Sequence, residues 1–186
     1  MANIKVISHQ EATGKLKDIY DSLLETHGQL AAVHMIQSLR PESIVKHMDL
    51  YMEIMYSKSE LSRAEREMMA VVVSSANQCD YCQTHHCEAL NQYWKDDEKV
   101  QVLRTNYHSL DLTEKQMALC DYAWQLTKTP QKANDTNLIK ALQKQGLSDS
   151  ACLDATLVIA YFNFVNRIVL AHQVGLEQDA GKGYKY

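Results

Sequence analysis

The sequence predicts an all-α domain built on a central antiparallel helical hairpin, and three observations carry that reading. Among 186 residues there are only 2 Pro and 6 Gly, against many Ala, Leu, Met, Gln, Glu and Lys, the strong helix formers. Apolar residues recur three and four positions apart along most of the chain. Helix-start signatures (Ser8 with Glu11, Ser62 with Glu65, Thr113 with Gln116) stand before those periodic runs. With 46% hydrophobic residues there is material for one core. A single domain over 1–186 is expected, with 1–34 as a helical extension and 177–186 as a polar tail.

The elements follow in order. The pair Ser8 and Glu11 opens a first helix, buried through Leu16, Ile19, Tyr20, Leu23 and Leu24, and Gly28 stops it. A short helix lies around 30–39. Pro41 suits the first position of the next, which runs to about Tyr56 with Ile44, Met48, Tyr51, Met52 and Met55 inward, the methionines as adaptable core filling. Ser62-Arg63-Ala64-Glu65 opens the helix that carries Glu67. Met68, Met69, Val71, Val72 and Val73 make that helix apolar on most sides, so it should be central. Ser74, Ser75 and Asn77 are poor helix formers and Asn77 is a good cap, so a break is expected there.

A cysteine-bearing helix then runs from about Gln78 to Tyr93. Asp96 caps a helix towards Arg104, Thr113 opens one that ends before Pro130, and another spans about 135–145 up to Gly146. Ser148 caps a final helix to about Val174, ending at Gly175. The end of the chain, from Gly181, reads as a loose polar tail or a strap onto a neighbouring subunit. At an offset of 86 residues, Leu61-Ser62 returns as Leu147-Ser148, Asn77 as Asn163 and His86 as His172. This weak echo suggests an internal helical-hairpin repeat with the chemistry kept in one copy. Asn163, Asn166 and Arg167 then read as packing or interface groups.

The chemistry concentrates in residues 67–87. Cys79, Cys82 and His86 form one stripe of a helix at i, i+3 and i+7, and His85 lies towards the other edge of it. A C-x-x-C pair at a helix start places thiols near the positive end of the helix dipole, which favours thiolate. An imidazole one turn on can take or return a proton. In one continuous helix Glu67 would lie roughly 18 Å from Cys79, at about 1.5 Å per residue. A tight break near Asn77 folds it back instead towards His86 and Cys87, where a carboxylate can orient the imidazole. The bland alternative is that Glu67 pairs with Arg63 at i−4 on an exposed edge. Cys120 and Cys152, isolated from the motif, read as inert core residues.

The spacing E-(x11)-C-x-x-C-x-x-x-H resembles the active-site motif of the alkyl hydroperoxidase D (AhpD)-like branch of the carboxymuconolactone decarboxylase family. The runs Gly146-Leu147-Ser148-Asp149 and Tyr161-Phe162-Asn163-Phe164-Val165-Asn166-Arg167 resemble its peroxidase-related subgroup, and the likeness covers roughly 35–176. It implies an AhpD-like helical fold and a thiol-dependent hydroperoxide reductase. It further implies that Cys82 is the cysteine oxidised to sulfenic acid, Cys79 the proton donor and resolving thiol, and Glu67 and His86 a proton relay. Trimers or hexamers and an external dithiol reductant follow from the same likeness. Tyr81 stands where the family's namesake has a histidine.

Other readings use the same residues. A disulfide oxidoreductase or redox sensor needs only the dithiol. A zinc site on Cys79, Cys82 and His85, His86 or Cys87 would crowd its ligands into nine residues of one helix, without the distant second pair that structural zinc draws on. A lactone decarboxylase, the activity that names the wider family, needs no dithiol. No metal or cofactor is expected. A net charge of −4 gives no reason to expect nucleic acid or an anionic membrane as partner. No apolar run approaches about 18 residues and the N-terminus lacks a signal-peptide pattern. Five cysteines without a secreted spacing fit a reducing, cytoplasmic setting.

Overall fold

Residues 66–74 are all buried within one helix, and the rest of the fold packs around it. The computed structural model describes residues 2–133 and 137–178. Its helices are α1 (Gly14–His27), α2 (Ala32–Met35), α3 (Pro41–Tyr56), α4 (Arg63–Ala76), α5 (Asp80–Trp94), α6 (Asp97–Asn106), α7 (Glu114–Lys128), α8 (Leu138–Lys144) and α9 (Asp149–Ala171). Short 3-10 turns lie at Tyr107–Ser109 and Pro130–Lys132, and no strand occurs among the described residues. The chain is all-α, as expected.

α4 and α5 form the antiparallel hairpin, and α7 and α9 cover the other faces of α4. Met68, Met69, Val71, Val72 and Val73 of α4 join Leu119, Cys120, Val158, Ile159 and Phe162 in the main core. Leu16, Tyr20 and Leu23 of α1 make a smaller cluster with Ile44 of α3, and Met48 of α3 touches both clusters. α9 has the length and apolar composition to cross a bilayer, with a mean hydropathy of 1.4. Ala155, Val158, Ile159, Phe162 and Val165 bury it in this core instead.

The local start and stop signals work largely as read. Ser62 and Glu65 close a reciprocal capping box, as do Thr113 and Gln116. Asp96 and Ser148 accept from backbone N–H groups three residues on. Pro41 opens α3, and Gly28 ends α1 in the left-handed region at φ 80°.

Several boundaries differ. Glu11 does receive the Ser8 backbone N–H and hydroxyl, but the helix starts only at Gly14, whose φ of 52° breaks the chain from that turn. Met52 is exposed, because the face that packs is Ile44, Met48, Tyr51 and Met55 and Met52 lies on its flank. α9 stops at Ala171, where Gln173 rather than Gly175 turns left-handed at φ 52°. It runs unbroken through Asn163, so the second segment of the sequence echo has no hairpin of its own. The expected helix start near Asp135 and the tail from Gly181 lie outside the described residues.

His47 ties α3 to α9. The Gln37 amide donates to its Nδ1 at 2.7 Å, which leaves the proton on Nε2, 2.7 Å from the Tyr161 hydroxyl. Burial holds this ring neutral, with a pKa lowered from 6.5 to about 4. The unfolded chain therefore binds the proton more readily. The stability this group supports is complete above about pH 6.5 and is lost as pH falls towards 4. Thermal denaturation followed from pH 7 to pH 4 should show a falling Tm, less steep in His47→Gln.

The α4–α5 turn gives a second test. Gln78 sits at φ 57°, a region that β-branched side chains avoid. Gln78→Val should destabilise by about 1–2 kcal/mol while Gln78→Gly does not, as read by denaturant midpoints.

Candidate active site

The break between α4 and α5 builds the site. Asn77 closes α4 rather than capping α5. Its side-chain amide donates to Asn163 and Asn166 of α9, both at 3.0 Å. Gln78 turns the chain left-handed, and Cys79 takes the position before the first turn of α5. Cys79 and Cys82 are 0% and 2% exposed, and both are free thiols.

The two sulfurs do not carry charge equally. The Cys82 thiol and the Cys82 backbone N–H both hydrogen bond to the Cys79 sulfur, and this lowers the Cys79 pKa against the opposing effect of burial. Donation to Cys79, together with burial, raises the Cys82 thiol well above its usual range, and a hydrogen bond from Asn166 partly offsets this. Of the two, Cys79 is the thiol that ionises more readily and Cys82 the one that holds its proton more firmly. The positive end of α5 thus acts on the first cysteine more than on the second.

Glu67 is completely buried and links two cations or potential cations. His86 Nδ1 donates to its Oε2 at 2.7 Å. Arg63 donates to Oε1 through Nε at 2.9 Å and Nη2 at 2.5 Å. Burial alone would raise this carboxyl, but His86 and Arg63 outweigh it and hold Glu67 below the usual carboxylate range. The Arg63 contact foreseen at i−4 exists, though buried rather than on an exposed edge, and it coexists with the His86 contact. Arg63 is itself fixed by the Tyr51 hydroxyl at 3.1 Å, the Met55 carbonyl at 3.2 Å and the ring of Tyr56 beneath it. His86 meets Phe162 edge to face, with centroids 4.4 Å apart.

A cavity of about 60 Å³ opens in front of these groups. Cys82, His85, His86, Tyr81, Tyr161 and Phe162 line it, and Cys79 does not. Glu67 stands behind His86. The structure therefore brings Cys79, Cys82, His86 and Glu67 together in one layer, with Cys82 and His86 in front.

Other neighbours were not assigned to the site from sequence. Asn166, read as packing or interface, is fully buried and reaches Cys82. His34 and His47, from α2 and α3, line the cavity, and burial lowers the His34 pKa to about 3. Glu177 binds His85 and Tyr81. The ligands of the zinc reading diverge: His86 turns to Glu67, His85 to Glu177, and Cys87 is buried with a pKa pushed up to about 11. No group of three metal-ligating side chains gathers among the described residues.

Comparison with known proteins bears on the family and the fold. Residues 44–125 match the model of the carboxymuconolactone decarboxylase family, a span that holds Glu67, Cys79, Cys82 and His86. No curated protein matches the chain. A peroxidase-related protein from Ralstonia eutropha JMP134, described as an alkylhydroperoxidase AhpD core, superposes with a TM-score of 0.86 at 23% identity, covering 99% of this chain and 98% of that one. A peroxidase-related protein from Silicibacter sp. TM1040 gives 0.84 at 26% identity, covering 94% and 91%. The debrominase Bmp8 shares the fold, with a TM-score of 0.80 at 19% identity and coverage of 97% and 95%. Residues 44–125 thus match the carboxymuconolactone decarboxylase family model, and nearly the whole chain shares the fold of AhpD-like, peroxidase-related proteins.

Proposed function

We propose that the protein is a thiol-dependent hydroperoxide reductase in which Cys82 is the attacking sulfur. The observation that carries this is the division of the dithiol: Cys82 faces the cavity, with His86 beside it and Glu67 behind His86, while Cys79 lies beneath. In the first step His86 takes the Cys82 proton, and the thiolate attacks the terminal oxygen of ROOH. An S–O bond forms, the O–O bond breaks, and the leaving alkoxide takes the proton from His86 to give ROH and Cys82 sulfenic acid. The Cys79 thiol then attacks that sulfur: the S–S bond forms, the S–OH bond breaks, and the Cys79 proton leaves with the hydroxide as water. An external dithiol reduces it again.

The relay fits its task because donation to Cys79 and burial raise the Cys82 thiol, so a base is needed to remove its proton. Glu67 fixes the His86 tautomer with Nδ1–H towards itself, leaving Nε2 as the base. Burial of both thiols favours this reading over a disulfide oxidoreductase acting on protein partners, which would need an exposed sulfur. The peroxidase-related names of the Ralstonia and Silicibacter proteins support the same direction. Bmp8 shows that the fold also serves dehalogenation in another protein.

Self-association is part of the proposal. Leu153, Leu157 and Phe164 form an exposed apolar stripe along α9, the first of them 58% exposed. A second copy of the chain is its natural cover, since closed homo-oligomers are the common way such faces are buried. Light scattering should give at least twice the 21.2 kDa chain mass, and Leu157→Lys should shift it towards the monomer. A wild-type monomer sinks the idea.

The chemical test is single-turnover peroxide consumption with thiol counting on fully reduced protein. Wild type should lose two thiols per chain. Cys82→Ser should lose none, and Cys79→Ser should stop at a sulfenic acid trappable by dimedone. Glu67→Gln should slow the first step by about 10²-fold, the lower range for general acid–base assistance. Full turnover in Cys82→Ser would end this mechanism.

A further inference from the structure

Glu177, in the segment after α9, binds residues at the cavity wall. Its Oε1 accepts the Ala32 backbone N–H at 2.7 Å and the Tyr81 hydroxyl at 2.8 Å. Its Oε2 accepts from His85 Nε2 at 2.9 Å. Partial burial opposes ionisation, but these partners outweigh it and hold the Glu177 pKa at about 2. The carboxylate thus keeps its charge, and its three partners, throughout the neutral range.

The partners belong to two sides of one opening. Ala31 and Val33 flank Ala32 and line the cavity, as do Tyr81 and His85 on the thiol helix. α2 is a single turn of four residues, too short to hold itself in place. A direct link between the two sides is the longer bond from the Val33 N–H to the Tyr81 hydroxyl, 3.3 Å. Glu177 therefore clasps the cover at residues 31–33 onto α5.

The dimensions and lining of the cavity bear on what can enter it. At about 60 Å³ it is smaller than the ~150 Å³ cavity that accepts a benzene ring. Its carboxylates are turned away: Glu67 towards Arg63 and His86, Glu177 towards Ala32, Tyr81 and His85. His34 and His47 face it as neutral rings at pH 7. An ion entering would lose its hydration, and the imidazoles of His85 and His86 on the wall are already engaged by Glu177 and Glu67.

We propose that Glu177 is a specificity-determining residue whose clasp restricts Cys82 to small, uncharged electrophiles. That these are hydrogen peroxide and short alkyl hydroperoxides rests on the function proposed above; the clasp itself does not.

The experiment is alkylation of the reduced full-length protein at pH 7, mapped to each cysteine by mass spectrometry and normalised to free cysteine. Iodoacetamide is small and neutral, iodoacetate is its charged counterpart, and N-phenylmaleimide carries a ring. Wild-type Cys82 should disfavour each of the last two by more than about tenfold relative to iodoacetamide. Glu177→Ala should remove most of the discrimination against the ring at Cys82, while buried Cys120 and Cys152 stay unreactive. Glu177→Gln, whose amide oxygen still accepts the Ala32 N–H, should fall between. The proposal is overturned if wild type does not discriminate, if Glu177→Ala leaves the discrimination unchanged, if Cys82 resists every reagent in every variant, or if Cys120 and Cys152 open in step with it, which would mean general loosening. A parallel arm compares tert-butyl and cumene hydroperoxides in single turnover, where Glu177→Ala should raise the relative cumene rate about tenfold, the reverse of wild-type exclusion. If no peroxide oxidises Cys82 but the alkylation pattern holds, the peroxidase reading fails and the clasp stands.

Discussion

A fully buried carboxylate is the constraint on which this fold depends. Glu67 sits among the apolar residues of α4 with no exposure, and an unpaired charge there would cost several kcal/mol. The structure meets that demand from two directions. Arg63 comes from one turn earlier on the same helix, and His86 comes from the facing helix. The first pairing neutralises the charge. The second uses what remains of its hydrogen-bonding capacity to hold an imidazole in one tautomer against the cavity. Arg63 in turn needs Tyr51 and Met55 of α3 to keep its guanidinium in place, so the position of α3 also follows from this one charge.

The α4–α5 turn converts that pairing into a site. Glu67 and Cys79 lie twelve residues apart in sequence, and only a tight reversal lets the Glu67 carboxylate reach the helix that starts at Cys79. The reversal relies on one left-handed residue, Gln78, and on an amide ladder in which Asn77 donates to Asn163 and Asn166. Asn166 also reaches Cys82. The same polar residues that stop α4 therefore support the sulfur, and they account for part of the otherwise apolar α9 having asparagine on its buried side.

How much of this was legible follows from the range of each interaction. Ser62, Thr113, Asp96 and Ser148 act on backbone groups three residues away, so their signals are complete within a few letters. The pair Cys82 and His86 was legible for the same reason, since helical spacing fixes it, whereas Cys79, expected on the same stripe, precedes α5 and does not line the cavity. Glu67 was legible only through the assumption of a break. Asn77 was correctly placed at that break but given the wrong side of it, because a side chain bonded to residues 86 and 89 positions away leaves no local trace. Glu177 and His47 were invisible for this reason too: their partners lie up to 145 and 114 residues distant. Ser8 with Glu11 shows the converse error, a capping pair that forms its bonds and then loses the helix to Gly14.

The unequal acidity of the two thiols explains why so many groups surround one sulfur. A thiolate facing the cavity would meet any electrophile that entered. Here the sulfur facing the cavity is the one that holds its proton more firmly, and the more readily ionised Cys79 does not line the cavity. Reaction then requires a base at the cavity wall at the moment the substrate is present, which is the position His86 holds. Selectivity at this sulfur is therefore divided between two carboxylates that never face the substrate. In the proposed mechanism Glu67 acts on when Cys82 loses its proton, and in the proposed clasp Glu177 acts on what is near it when it does. Both act through an imidazole of the same helix, His86 and His85, which diverge by roughly 100° because adjacent helical residues must. One additional histidine beside the motif thus gives the thiol helix a second carboxylate anchor, on the flank where the first cannot reach.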